Sequence, residues 1–441
     1  MGRLFGTDGI RGIANRELTA ELALNLGRVF AETLDHNSRV FIARDTRVSG
    51  PMLVYAIGAG LMSGGTEVVS LGILPTPAVA YLLQKHGAAA GIMVTASHNP
   101  GEYNGIKIFG ADGRKLADSL EDEIEGRLLR GTVRQAGMVG ARISERHAAE
   151  EYIQFLRSSA LVPLNGLAIA LDCANGASCV TAEGLFGALG ANIHTLGNRP
   201  NGHNINENCG SLHPEELQRT VIENNLAAGF AFDGDADRVL AVDEHGNVVD
   251  GDQILAMCAL DMQERGTLAG GTLVATVMSN FGLRVFCKAH GIAFRTAQVG
   301  DRYVLDELLA GGFSLGGEQS GHIIFTQHST AGDGQLTSLQ ILQIMLRTGK
   351  PLSKLAGVMA HYPQVQRNIP VSQLGKLRLA DDEEIQSAAA QAQRLLGENG
   401  RVLLRASGTE PLVRVMVEGQ NSAQIETIAR ELEELVRRQL L

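Results

Sequence analysis

Residues 39–95 read RVFIARDTRVSGPMLVYAIGAGLMSGGTEVVSLGILPTPAVAYLLQKHGAAAGIMVT. Short apolar runs at 39–43, 67–71 and 89–95 alternate with helix-length stretches at 51–63 and 77–86. Strands alternating with helices of this length predict βαβ units and a mainly parallel sheet. The pattern restarts at 167–172 (strand), 177–189 (helix), 192–196 (strand), 214–225 (helix) and 228–232 (strand). A third run follows, with helices at 253–263, 283–290 and 301–309, strands at 272–278 and 294–298, and a Gly-rich segment from 314. The last 70 or so residues differ: strands at 366–370, 402–404 and 413–418 and helices at 382–396 and 423–440 make a small α+β module. At about 150 residues per domain, 441 residues call for several cores. The expected fold is therefore three related mixed-sheet α/β domains followed by a smaller α+β C-terminal domain, with boundaries near 150, 250 and 365.

Composition narrows the function. Apolar residues make up 44% and charged residues 20%, as in an ordinary globular chain. Lys and Arg number 38 against 48 Asp and Glu, a net charge of −10, which argues against a chain that grips nucleic acid or an acidic membrane. The longest apolar stretches are near ten residues, short of the roughly 20 that a span needs. No apolar leader follows Met1, and the five cysteines form no C-x-x-C pair, so a cytoplasmic protein with reduced thiols is expected.

Four polar segments, three of them containing Gly, are candidates for chemistry. Asp233-Gly-Asp-Ala-Asp-Arg238 puts carboxylates at alternate positions of a short loop. At about 5 Å and an effective dielectric near 20, each pair repels by roughly 3 kcal/mol, so a hard cation such as Mg²⁺ fits. A calcium EF-hand would need Gly where Arg238 stands and helical flanks where 239–242 reads as strand. A D-x-D loop after a strand also suits a phosphatase with Asp233 as nucleophile. Thr95-Ala-Ser-His-Asn-Pro100 lies at a strand's carboxyl end, where ligands of open α/β sheets gather. Ser97 suits a phosphoryl carrier, and the same residues suit an Asn-Pro turn with an incidental Ser. Gly317-Glu-Gln-Ser-Gly-His322 offers Glu318 and Ser320 for hydroxyls and a titratable His322. Arg405-Ala-Ser-Gly-Thr-Glu-Pro411, with Arg414 nearby, combines a guanidinium fork, two hydroxyls and a flexible Gly408, a composition that suits phosphate or a polar hairpin turn. Arg11, in the Gly-rich stretch 6–12, and Lys107, beyond the Ser97 turn, are candidate cations for a phosphoryl group. No Walker A loop and no nucleophile elbow is present.

Taken together and in order, TASHNP, DGDADR, GEQSGH and RASGTEP resemble the motifs of the α-D-phosphohexomutase superfamily, and the resemblance covers the whole chain. The GTDGIRG opening, the GEQSGH form and the compact length are most similar to its bacterial branch acting on glucosamine phosphates. The resemblance implies an isomerase that interconverts glucosamine 6-phosphate and glucosamine 1-phosphate through a phosphoserine enzyme and a 1,6-bisphosphate, feeding amino-sugar and peptidoglycan precursors. It implies four domains around a central cleft: 1–150 with the phosphoserine, 151–250 with the metal, 251–365 for sugar recognition and 366–441 for phosphate. It makes Ser97 the phosphoryl carrier and, with Asp233, Asp235 and Asp237, a ligand of one Mg²⁺. Arg11, Lys107 and His322 would assist proton transfer or charge stabilisation. Glu318 and Ser320 would contact sugar hydroxyls, and Arg405, Ser407, Gly408 and Thr409 the non-reacting phosphate. A sugar 1,6-bisphosphate would serve as activator, sugar phosphates as partners, and a homodimer is compatible with the family. The alternatives left open are a phosphomannomutase or phosphoglucomutase, an Asp-nucleophile sugar phosphatase, and a non-enzymatic sugar-phosphate sensor.

Overall fold

A computed structural model describes residues 4–6, 9–35, 37–131, 139–407 and 411–441. The chain forms two compact units, Met1–Met278 with Ile292–Val358, and Ser279–Gly291 with Met359–Leu441.

The first unit holds three sheets. One contains β1 (Ile10–Ile13), β2 (Arg39–Arg44), β3 (Glu67–Ile73), β4 (Ala90–Val94), β5 (Tyr103–Gly110) and β6 (Arg142–Ser144) in the order β1-β5-β4-β2-β3-β6. Strands β4, β2, β3 and β6 run parallel, and β5 is antiparallel to both β4 and β1. The second contains β7 (Ala168–Asp172), β8 (Asn192–Leu196), β9 (Ala228–Phe232), β10 (Val239–Val242) and β11 (Val248–Val249) in the order β11-β10-β9-β7-β8. The third contains β12 (Thr272–Thr276), β13 (Ala293–Ala297), β14 (Leu315–Gly317) and β15 (Ile323–Phe325) in the order β13-β12-β14-β15. Strands β4, β9 and β12 are buried along their whole length, which is why they read as unbroken apolar runs rather than alternating ones.

In the second unit, β16 (Gln364–Pro370), β17 (Gly400–Ala406) and β18 (Leu412–Gly419) form an antiparallel sheet in the order β16-β18-β17. Helices Glu383–Leu396 and Ser422–Leu440 bury Ile385, Leu396, Ile425, Leu432 and Val436 in one core with Val413, Val415 and Val417. The expected mixed α/β sheets and the smaller C-terminal α+β part are both present.

Several elements depart from the sequence expectation. Residues 10–13 and 103–110, not among the expected strands, form β1 and β5, because the alternate residues Ile106 and Ile108 and the facing Ile10 all bury in the core of the first sheet. The predicted helix at 177–189 is broken into a 3₁₀ turn, Ala177–Val180, and a short helix, Ala182–Ala188. Helix Gly334–Thr348 was not expected. Its buried positions include Gln335, Thr337, Ser338 and Gln343 alongside the leucines, so no polar face marks it in sequence. The cysteines are free, four buried and Cys179 half-buried.

Helices Ala20–Ala31 and Gly50–Ser63 cross with backbones touching. A Cβ on Gly27 would collide with the Ile57 carbonyl, and one on Gly60 with the Leu24 carbonyl. We predict that Gly60→Ala destabilises the chain by about 1–3 kcal/mol through overpacking, read as a lower urea midpoint. Alanine is the better helix former by about 1 kcal/mol, so a raised midpoint would contradict the close crossing.

Candidate active site

The site is assembled at the carboxyl ends of β4 and β9. Ser97 follows β4 and takes a left-handed conformation (φ +52°), unusual for a residue with a side chain. Its Oγ donates to Asp233 Oδ2 at 2.6 Å, and both side chains are buried. The loop after β9 turns at Ala236 (φ +56°), whose N–H donates to the Asp233 carbonyl at 3.0 Å. A Cβ on Gly234 would collide with the Ser97 carbonyl, so only glycine lets the two loops meet here.

Backbone bonds from three directions hold the acidic loop. Thr76 N–H donates to the Asp235 carbonyl at 2.9 Å, Ala177 N–H to the Gly234 carbonyl at 2.8 Å, and Gly334 N–H to the Ala236 carbonyl at 3.0 Å. Asp333, the N-cap of helix Gly334–Thr348, accepts from Leu336 N–H at 2.9 Å and from the Tyr152 hydroxyl at 2.7 Å. The unexpected helix therefore anchors the loop.

Asp233, Asp235 and Asp237 bring one carboxylate oxygen each within 4.8 Å of one another, all three side chains buried. Lys107, on β5, donates to Asp235 Oδ2 at 2.9 Å and to Asp237 Oδ2 at 3.1 Å. Thr76 Oγ1 adds a third donor to the trio, bonding Asp235 Oδ2 at 2.5 Å. Burial alone would raise the Asp235 carboxyl, but Lys107 and Thr76 more than offset it and hold it below the ordinary carboxylate range. Asp233 goes the other way: burial, then Asp237 and Asp235, push its carboxyl well above that range. Asp235 Oδ1 and Asp237 Oδ1 are buried without a hydrogen-bond donor among the described residues. Three buried carboxylates, two of them with an oxygen that accepts no hydrogen bond, form a donor set for a hard cation.

His98 packs beside Ser97, its Nδ1 3.4 Å from Ser97 Oγ and 3.1 Å from an Arg238 Nη. Burial, Arg238 and Arg11 push the imidazole down to about 4, so at neutral pH it carries no charge. Arg11 lies on β1, where it pairs with Gly105, and its charge also reaches Asp235. Thr76, Lys107, Arg114, Asp237, Arg302 and His322 are among the residues that line a cavity of about 310 Å³. His322 is buried, and its Nδ1 has no partner among the described residues. Glu318 sits in the turn between β14 and β15, accepts from Gly300 N–H at 3.1 Å, and is followed by an exposed Ser320.

In the second unit, Arg405 on β17 stands directly opposite Arg414 on β18. Burial and then the Arg414 charge lower the Arg405 guanidinium. Like charges facing across a ladder disfavour each other and attract an anion. Ser407 is buried, while Gly408 and Thr409 lie outside the described residues. Sequence reasoning gave no role to Thr76, Arg238 or the Asp45–Arg47 pair beneath the Ser97 loop. Of these, Arg238 closes the Asp233–Arg238 motif and Asp45-Thr46-Arg47 stands out as polar at the end of an apolar strand, whereas Thr76 carried no visible signal.

Comparison with known proteins accounts for this arrangement. Four family models match in chain order. Phosphoglucomutase/phosphomannomutase alpha/beta/alpha domain I matches residues 2–135, domain II 150–246, domain III 250–362, and the C-terminal domain 367–435. A phosphoglucosamine mutase of Clostridium perfringens is 53% identical over 443 residues, 99% of both chains. One from a Thermoanaerobacter species is 51% identical over 447 residues, the full length of both. A crystal structure of a phosphoglucomutase/phosphomannomutase family protein from Burkholderia thailandensis superposes with TM-score 0.84 at 26% identity, over 99% of this chain and 98% of that one. With matches to all four domains and relatives that share half the sequence end to end, the chain belongs to the phosphoglucomutase/phosphomannomutase family.

Proposed function

We propose that this chain is an isomerase that interconverts glucosamine 6-phosphate and glucosamine 1-phosphate, with Ser97 as the phosphoryl carrier. The observation that carries the reading is the Ser97 hydroxyl 2.6 Å from Asp233 Oδ2, inside a buried carboxylate trio flanked by Lys107. The choice of an amino sugar is supported by relatives that bear the name phosphoglucosamine mutase over the full chain. The division of labour follows the motifs: 1–150 carries the phosphoserine, 151–250 the cation, 251–365 the sugar contacts of Glu318 and Ser320, and 366–441 the phosphate contacts of Arg405, Ser407, Gly408 and Thr409.

In the forward direction the phosphorus–oxygen bond of phospho-Ser97 breaks as the sugar 1-hydroxyl oxygen bonds to phosphorus. The hydroxyl proton leaves to a nearby base, and Ser97 is left as the alkoxide that takes up a proton. The 1,6-bisphosphate turns over, and the same exchange in reverse returns the 6-phosphoryl group to Ser97. Little covalent work falls to the protein, so positioning and charge stabilisation dominate. Lys107 and Arg11 supply fixed positive charge to the carboxylate trio, and His322 is a candidate for proton transfer at its unbonded Nδ1. Asp233, Asp235 and Asp237, with the Ser97 phosphate, would hold one Mg²⁺, which when bound neutralises charge on the transferred group. A sugar 1,6-bisphosphate would keep Ser97 phosphorylated.

Two outcomes are expected. Initial rates with Mg²⁺ and a trace of sugar bisphosphate, followed by phosphorus NMR, should favour glucosamine 6-phosphate over glucose and mannose 6-phosphates by about tenfold or more in kcat/KM, about 1.4 kcal/mol of transition-state preference. A neutral hexose phosphate winning would replace the substrate, and inorganic phosphate as the sole product would replace mutase by phosphatase. In calorimetry, Asp237→Ala should weaken Mg²⁺ binding by at least about tenfold without loss of fold. Unchanged affinity would remove the trio from the metal site.

A further inference from the structure

Arg47 lies in none of the four motifs, yet it is fully buried beneath the Ser97 loop. Its Nη2 donates to the Ser97 carbonyl at 3.0 Å and to the Asn99 carbonyl at 2.7 Å. Its Nη1 donates to the Tyr103 carbonyl at 2.9 Å and to the Pro100 carbonyl. Nε donates to Asp45 Oδ2 at 2.9 Å, so the planar fork meets one carboxylate and four backbone carbonyls. Asp45, itself wholly buried, also accepts from the Thr95 hydroxyl at 2.7 Å, and Thr95 Oγ1 accepts the Ser97 N–H at 3.0 Å. Both ends of Ser97 are thereby tied to Asp45, through Thr95 at its N–H and through Arg47 at its carbonyl. From the second sheet's loops, Asn206 Nδ2 donates to the same Ser97 and Asn99 carbonyls, at 2.9 Å each.

We infer that Arg47, set by Asp45 and seconded by Asn206, is a positioning residue that holds Ser97 in its left-handed conformation and aims Oγ at the acidic loop. The inference rests on the reading of Ser97 as phosphoryl carrier. Left-handed backbone is unfavourable for a residue with a Cβ and persists only where its surroundings over-determine it. Carbonyls pointing inward at one place need several donors in fixed geometry, which guanidinium supplies and a lysine ammonium does not. The arrangement acts on the reacting oxygen and leaves the sugar contacts, the phosphate contacts and the carboxylate trio in place.

The test compares Arg47→Lys, Asn206→Ala and Ser97→Ala in the full chain with glucosamine 6-phosphate, Mg²⁺ and bisphosphate. Misplacing a reacting atom by about 1 Å can lower a rate about 100-fold, so Arg47→Lys should lose about that much kcat while KM and the calorimetric Mg²⁺ affinity of the dephosphorylated chain stay within about threefold. Asn206→Ala should lose roughly tenfold with the same split. The phosphorus resonance of phospho-Ser97 should shift in both variants, which a general loss of stability would not cause. Unchanged kcat and an unmoved resonance in both would overturn the inference. If Arg47→Lys does not fold, Asn206→Ala decides by the same readouts. Full turnover by Ser97→Ala would instead sink the carrier reading, whereas an inactive Ser97→Ala beside fully active Arg47 and Asn206 variants would sink only the positioning role.

Discussion

Three carboxylates converge within 4.8 Å in a buried loop, and most of the first unit's active-site architecture follows from what that requires. Buried like charges repel strongly, so the loop needs cations, hydrogen-bond donors and a rigid backbone at once. Lys107 meets two of the carboxylates, Thr76 one, and the Ser97 hydroxyl the third. Two oxygens are left unbonded, and Asp233 is pushed toward its neutral form. A site left short of positive charge in this way suits a divalent cation and a dianionic phosphoryl group together better than either alone.

The scaffold answers the need for a rigid backbone by holding both loops through their own carbonyls. The acidic loop is pinned through its own carbonyls by N–H groups of Thr76, Ala177 and Gly334, from three segments far apart in sequence. The Ser97 loop is pinned through its carbonyls by Arg47 and Asn206. Neither set of bonds uses the carboxylates or the Ser97 hydroxyl. Gly234 is the point of closest approach between the loops, which explains a glycine between two aspartates better than flexibility does.

How much of this was legible in the sequence depends on the kind of signal. Strands β4, β9 and β12 were readable because double burial produces unbroken apolar runs. Helix Gly334–Thr348 was not, because its buried face mixes Gln, Thr and Ser with leucine. Strands β1 and β5 were masked by glycines and charges such as Arg11 and Lys107, whose side chains serve the site rather than the strand. Ser97 and the aspartates could be picked out because their residue types advertise chemistry. The roles of Arg47 and Asn206 were not legible, because they lie in which carbonyls these side chains meet, and that is set by tertiary contacts between residues more than 50 and 100 positions apart.

The most direct test of the account follows the phosphoryl group itself. The dephosphorylated chain would be incubated with a hexose 1,6-bisphosphate and Mg²⁺, digested, and mapped by mass spectrometry. The account predicts one phosphoryl group per chain, on Ser97, stable to hydroxylamine and transferable to glucosamine 6-phosphate. A hydroxylamine-sensitive acyl phosphate on Asp233, or no covalent phosphate at all, would contradict it.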